Sequence, residues 1–255
     1  MRVLTAIPFS PWSEKARWAL DHHQVDYREA PFMPVFGELA LRLEMRRPFG
    51  RVTVPVLHDG PRWYTDSFDI ARRAEEIGRG APLFPSNELE EIRAWNQRSE
   101  SALAAGRAIL MRSWASTPEL ALAALPNGLP PPFKALLAPF GRRRLEAFMA
   151  KYEIREGDYS HEAVLTAELD GLEQALSGRR YLIGESFSYA DIAMALTLQQ
   201  VSPVDPSFIV RMSGLDPSGM HIDAFKRRYI GLIAWRDALY ARHRRPDAKP
   251  SDRLD

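Results

Sequence analysis

No cysteine occurs in the 255 residues. Disulfides, a thiolate nucleophile and thiolate metal ligands are therefore excluded. An excess of one charge is also missing: 34 Lys and Arg stand against 33 Asp and Glu, a formal net charge of +1. No global field draws nucleic acid or an anionic membrane. No run approaches the roughly 18 apolar residues of a membrane span. The opening Met1–Ala6 has Arg2 and a short apolar run, too short for a signal-peptide core. A cytoplasmic protein without membrane or nucleic-acid partners is expected. There is no internal repeat and no Gly-rich phosphate loop. His22 and His23 are adjacent and face different directions on a helix, and His161-Glu162 lacks the second histidine of a zinc-protease helix. No metal is expected.

What is present is an ordinary globular balance, 45% hydrophobic and 26% charged, in a chain long enough for two modest domains. Val3–Ile7 is a β-prone run closed by Pro8. Ser10-Pro11-Trp12-Ser13-Glu14 then reads as a helix start, with Ser10 as N-cap, Pro11 at the first helical position and an acid one place late for a capping box. Val25–Ala30 is a second strand. Residues Gly37–Arg47 form a helix with Leu39, Leu43 and Met45 expected on its buried side. Val52–Leu57 is β-prone around Pro55, and Asp59-Gly60-Pro61 turns it into Arg62-Trp63-Tyr64. Thr65-Asp66-Ser67 leads into a helix through Ile77.

After Gly78–Ser86, which suits a linker, no further strand is expected. One long helix runs over Asn87–Trp114. Short helical pieces are expected in Pro118–Pro139, and a helix over Arg142–Lys151. His161–Leu176 carries Leu165, Leu169, Leu172 and Leu176 on one face. Ser188-Tyr189-Ala190-Asp191 caps a nearly all-apolar helix from Ile192. Ala224–Arg242 is the last helix, and the tail from Pro246 is expected to fray.

Three places carry chemistry. Ser10 sets a hydroxyl at a helix N-terminus, where N–H groups and the dipole favour an anion and lower the pKa of a thiol beside it. Val54-Pro55 is either an edge-strand proline or, less commonly, a cis bond that turns the Val54 backbone outward. Asp66-Ser67 offers an acid and a hydroxyl at another helix start, suited to an ammonium and a carboxylate together. For Ser10 and for Asp66-Ser67, plain helix capping is the competing reading.

The order of these features resembles the glutathione transferase superfamily, most clearly over Met1–Ile77 and Tyr181–Leu198. The resemblance implies an α/β thioredoxin-like N-terminal domain (residues 1–79) and an all-α helical C-terminal domain (87–255), usually as a homodimer, in a detoxifying enzyme. It implies glutathione as co-substrate and a small electrophilic molecule as its partner. By position, Ser10 matches the catalytic residue and Ser13 the second member of the thioredoxin-like pair. Val54 matches the residue pairing with the cysteinyl part of glutathione, and Pro55 the cis-proline. Asp66 and Ser67 match the pair that holds the γ-glutamyl group, and Asp191 the capping acid. Trp12, Ile109, Arg112 and Trp114, with Trp95 beside them, are candidates for a second-substrate site. Asp66 is shorter than the usual glutamate, the stretch 48–55 is a little longer than the family's loop, and no tyrosine ends the first strand. The expected function is conjugation of a Ser10-stabilised thiolate to an apolar electrophile. Peroxidase, isomerase or ether-cleaving chemistry would share the site. The alternative is a non-catalytic module of the same fold used for binding or assembly.

Overall fold

A computed structural model describes residues 1–32, 37–47, 52–115, 146–155, 157–209 and 222–244, with 49 and 143. The stretch 118–139, the loop around 48–51 and the tail 246–255, about which the sequence raised expectations, lie outside these or largely so.

The N-terminal part is a four-stranded sheet with helices. In order these are β1 (Val3–Ala6), α1 (Pro11–His22), β2 (Arg28–Pro31), α2 (Gly37–Glu44), β3 (Val56–Asp59), β4 (Arg62–Tyr64) and α3 (Ser67–Ile77). The strand order is β2-β1-β3-β4. β1 pairs with β2 in parallel, whereas β3 runs antiparallel to both β1 and β4. This is the thioredoxin-like arrangement. β3 starts only at Val56, later than the run from Val52 suggests, because Pro55 has no N–H for the ladder. Helix α2 forms where expected, but its face is corrected. Leu39 and Leu43 are exposed, whereas Met45 is buried as expected and Leu41 joins it against Val52 and Val56.

The rest of the described chain is largely helical: α4 (Leu89–Ala115), a helical stretch at 146–151, α5 (Ser160–Ala175), α6 (Tyr189–Ala195) with a 3-10 turn at Leu196–Gln199, α7 (Asp223–Arg228) and α8 (Ile230–His243). The single last helix expected from Ala224 is two. They break at Tyr229, which is buried and whose hydroxyl donates to Asp170 at 2.6 Å. Leu165, Leu169 and Leu172 of α5 are fully buried, as their spacing requires. No helix among the described residues is long and apolar enough to cross a membrane.

One core joins the two parts. Trp18 of α1 is fully buried, with its ring 4.3 Å from Tyr240 of α8 and 5.9 Å from Phe187. Phe68, Phe84 and Tyr189 bring α3, the connector and α6 within 5.0–5.4 Å of one another, ring to ring. The connector is not a loose linker. Glu75 accepts from the Leu83 and Phe84 N–H groups, and the Leu83 carbonyl accepts from Tyr189 N–H. A Cβ on Gly78 would fall 2.4 Å from the His23 carbonyl oxygen, so glycine serves close approach there.

Candidate active site

Sheet register sets the site. Thr5 of β1 pairs with Val56 of β3, and Leu57 of β3 pairs with Tyr64 of β4. The exit of β1, the entry of β3 and the exit of β4 therefore lie at one end of the sheet. From that end emerge the turn carrying Ser10, the Val54–Pro55 dipeptide and the Asp66–Ser67 start of α3. Three segments up to 57 residues apart in sequence are brought to one edge by strand pairing alone.

In the first segment, Ser10 N–H donates to the Ile7 carbonyl at 3.2 Å and closes the turn. Ser10 is the N-cap of α1, extended at φ −74° and ψ 126°, and its Oγ accepts from Ser13 N–H at 3.5 Å. Pro11 at the first helical position has no N–H to satisfy. The two serines divide the work. Ser13 is buried and turns its hydroxyl inward to accept from Ile7 N–H at 3.1 Å. Ser10 stays half-buried at the surface, and a hydroxyl that accepts through a lone pair keeps its own proton to donate. Glu14 completes no capping box; it is buried, 2.8 Å from Arg244 Nε and 3.5 Å from Arg17 Nη1.

The Val54–Pro55 bond is cis. Asp66 is the N-cap of α3 and accepts from Phe68 N–H at 2.8 Å, with its side chain exposed. Ser67 is buried next to Tyr189, whose hydroxyl burial pushes well above the ordinary tyrosine value. Burial, and then the Asp66 charge, also raise the carboxyl of Asp69.

Trp12 stands on the first turn of α1 and donates from Nε1 to Glu100 Oε2 at 2.5 Å, which ties it to α4. The Arg107 guanidinium lies 4.8 Å from the Trp12 ring and 3.8 Å from that of Tyr152. The other second-site candidates are spread along α4. Ile109 packs on the main core, as does buried Trp95. Arg112 is mostly buried and pairs with Glu162 of α5, and Trp114 packs with Ala108, Met149 and Ile154.

Sequence reasoning passed over Lys15. Its ammonium is fully buried and donates to Ser99 Oγ and Glu100 Oε1, both at 2.7 Å. Burial pulls its pKa down, opposed by Glu100 and, more weakly, by Asp66. No local pattern could have found it, because its partners lie 84 and 85 residues away. Among the described residues no cluster of His, Asp and Glu is arranged to hold a metal ion.

Residues 9–77 match a family model of the glutathione S-transferase N-terminal domain, and residues 133–238 match one of its C-terminal domain. The chain belongs to the glutathione transferase superfamily. Solved structures agree on the fold. A glutathione S-transferase from Methylobacillus flagellatus, solved with glutathione bound, is 18% identical with a TM-score of 0.56, over 98% of this chain and 100% of that one. The β-etherase LigF from Sphingobium sp. strain SYK-6 is 19% identical with a TM-score of 0.61, over 94% and 95%. A glutathione S-transferase from Rhodospirillum rubrum is 18% identical with a TM-score of 0.57, over 95% and 89%. Comparison with curated proteins finds no sequence match. The sheet end that carries the cis Val54–Pro55 bond also gathers Ser10 and Asp66–Ser67.

Proposed function

We propose that this superfamily member is a glutathione transferase that uses the Ser10 hydroxyl to stabilise the glutathione thiolate. The observation that carries the reading is the convergence of Ser10, Val54–Pro55 and Asp66–Ser67 at one end of the sheet. The bound glutathione of the Methylobacillus flagellatus structure supports it. Asp66 offers a carboxylate for the γ-glutamyl ammonium, and Ser67 with the start of α3 offers donors for its carboxylate. The Val54 backbone pairs with the cysteinyl unit, and Pro55 and Ser13 shape the floor of the site. The sulfur then lies at the start of α1. There the Ser10 O–H donates to it, and the helix end adds its partial positive charge.

Stabilising the thiolate lowers its pKa and raises the fraction able to attack at neutral pH. The sulfur forms a bond to an electrophilic carbon, and the electron pair of the broken bond leaves with the departing group. Ser10 stabilises and is not itself the attacking atom. The small apolar electrophile sits between sheet and helical domain, beside Trp12, with Ile109, Arg112 and Trp114 of α4 further along. This chemistry needs a reduced glutathione pool, and from that we infer a cytoplasmic location. We further infer a homodimer, supported by the exposed apolar side chains of Leu39, Leu43 and Phe49.

The test is calorimetric titration of glutathione into the wild type and Ser10→Ala, with thiolate absorbance followed against pH. Both proteins should bind, and only the wild type should lower the sulfur pKa. Absence of binding at millimolar glutathione would leave the non-catalytic module as the surviving reading.

A further inference from the structure

Beside the Ser10 turn lies a buried chain of ions that the proposed chemistry does not use. Arg17, about two turns along α1 from Ser10, is fully buried and spends its guanidinium in three directions. Toward β2 it grips Glu29, with Nε 2.9 Å from Oε2 and Nη2 2.5 Å from Oε1. Toward the turn, Nη2 donates to the Ile7 carbonyl at 3.0 Å and Nη1 to the Pro8 carbonyl at 3.2 Å. Along its own helix, Nη1 lies 3.5 Å from Glu14. The chain then leaves the domain. Arg244, the C-cap of α8, is buried and reaches Glu14 with Nε at 2.8 Å and Asp21 with Nη1 at 2.6 Å. Tyr27 donates to the other oxygen of Asp21 at 3.1 Å.

Stability alone is a poor reason for such a network. Burying ions costs about as much as their attraction returns, and apolar residues of equal volume would hold the two parts together as well. What the ions supply is direction. Ile7 O receives both Ser10 N–H and Arg17 Nη2, so the peptide groups that lead into Ser10 are fixed from the inside. A planar five-donor fork can hold two carbonyls and a carboxylate together, and a lysine cannot. We propose that Arg17 is the positioning residue for the Ser10 hydroxyl. We propose also that Arg244, through Glu14, makes that positioning depend on docking of the last helix. This rests on the reading of Ser10 as thiolate stabiliser.

The full-length protein is tested as wild type, Ser10→Ala, Arg17→Lys, the double variant and Arg244→Lys. The readouts are the pKa of the bound glutathione sulfur and the affinity for glutathione at acid pH, where the thiol is neutral. Ser10→Ala and Arg17→Lys should each raise the sulfur pKa by about one unit, the worth of one hydrogen bond to a charged acceptor. The double variant should rise no further, and affinity at acid pH should hold. Arg244→Lys should move the pKa the same way by less. A rise for Ser10→Ala with none for Arg17→Lys, or additive rises in the double variant, would overturn the positioning role and leave the Ser10 reading intact. No rise for Ser10→Ala would overturn both. Should Arg17→Lys not fold, folded Arg244→Lys with a wild-type sulfur pKa would overturn the proposal by itself.

Discussion

Lys15 carries a charge into a place that water does not reach. Its counter-ion Glu100 keeps two-fifths of its side chain exposed, so their attraction is screened while the desolvation of Lys15 is not. Ser99 shares the load as a neutral acceptor and donates its own O–H to the Asn96 carbonyl at 2.6 Å. Glu100→Gln removes the only carboxylate that the ammonium touches among its described contacts, and should lower stability by about 1–3 kcal/mol in urea unfolding. Adding Lys15→Met should recover most of that loss, since an apolar chain of similar length needs no partner. A further loss in the double variant would show that the ammonium, not its pairing, is what matters. Single residues were legible in the sequence where their partners are near. Ser10 and Asp66 each cap the helix that they open, within three residues. What Lys15, Arg17 and Glu14 touch was not legible, because their partners come from β2, α4 or the last helix. A charged side chain on a helix gives no sign of whether it meets solvent or another domain.

Helix starts were legible for the same reason, and helix faces less so. In α6 the Ser188–Asp191 box forms as its spacing requires. Asp191 also accepts from Leu182 N–H, with Leu182 N–H and Ser188 N–H both at 2.8 Å. In α2 the period reveals that a face exists but not which neighbour covers it: Met45 is buried as expected, but Leu41, not Leu39 or Leu43, joins it there. The break at Tyr229 left no trace in composition; the residue there is buried, and its hydroxyl partner Asp170 lies 59 residues away. Asp191→Ala removes a cap and strands two buried N–H groups. It should cost at least the ~0.5–2 kcal/mol of a helix cap. Thermal unfolding should show this as a lower midpoint while Ser188→Ala, which leaves the carboxylate in place, loses less. Equal losses would mean that Asp191 acts only through the Ser188 hydroxyl.

Across the molecule, the two parts meet over histidines as well as aromatic rings. His23 is buried at the C-cap of α1, where Gly78 and Gly80 pack against it, and its Nε2 is 3.7 Å from Glu75. His243, at the end of α8, stacks on Phe187 with centroids 4.0 Å apart and lies 3.0 Å from the Tyr181 hydroxyl. Burial, with His22 nearby, lowers His23 and His243 to about 4 from an ordinary value of 6.5; burial lowers His22 too. A histidine with a depressed folded pKa binds fewer protons folded than unfolded. Its stabilising effect is complete above the unfolded value and declines as pH falls from 6.5 toward 4. Asp191 acts in the opposite sense, because burial raises its carboxyl to about 6, so the folded state takes up a proton first as pH falls below that. Asp69, whose carboxyl is also raised, acts in the same sense as Asp191, and three histidines against these two carboxyls leave a net loss of stability on acidification. It should begin above pH 6, before ordinary carboxylates titrate. Unfolding midpoints measured from about pH 7.5 to about pH 5 should fall steadily. His243→Phe keeps the ring stack on Phe187, removes one of the three titrations and should make the fall shallower. A pH profile unchanged by that substitution would mean that the joint between sheet and helices does not feel the protonation of its histidines.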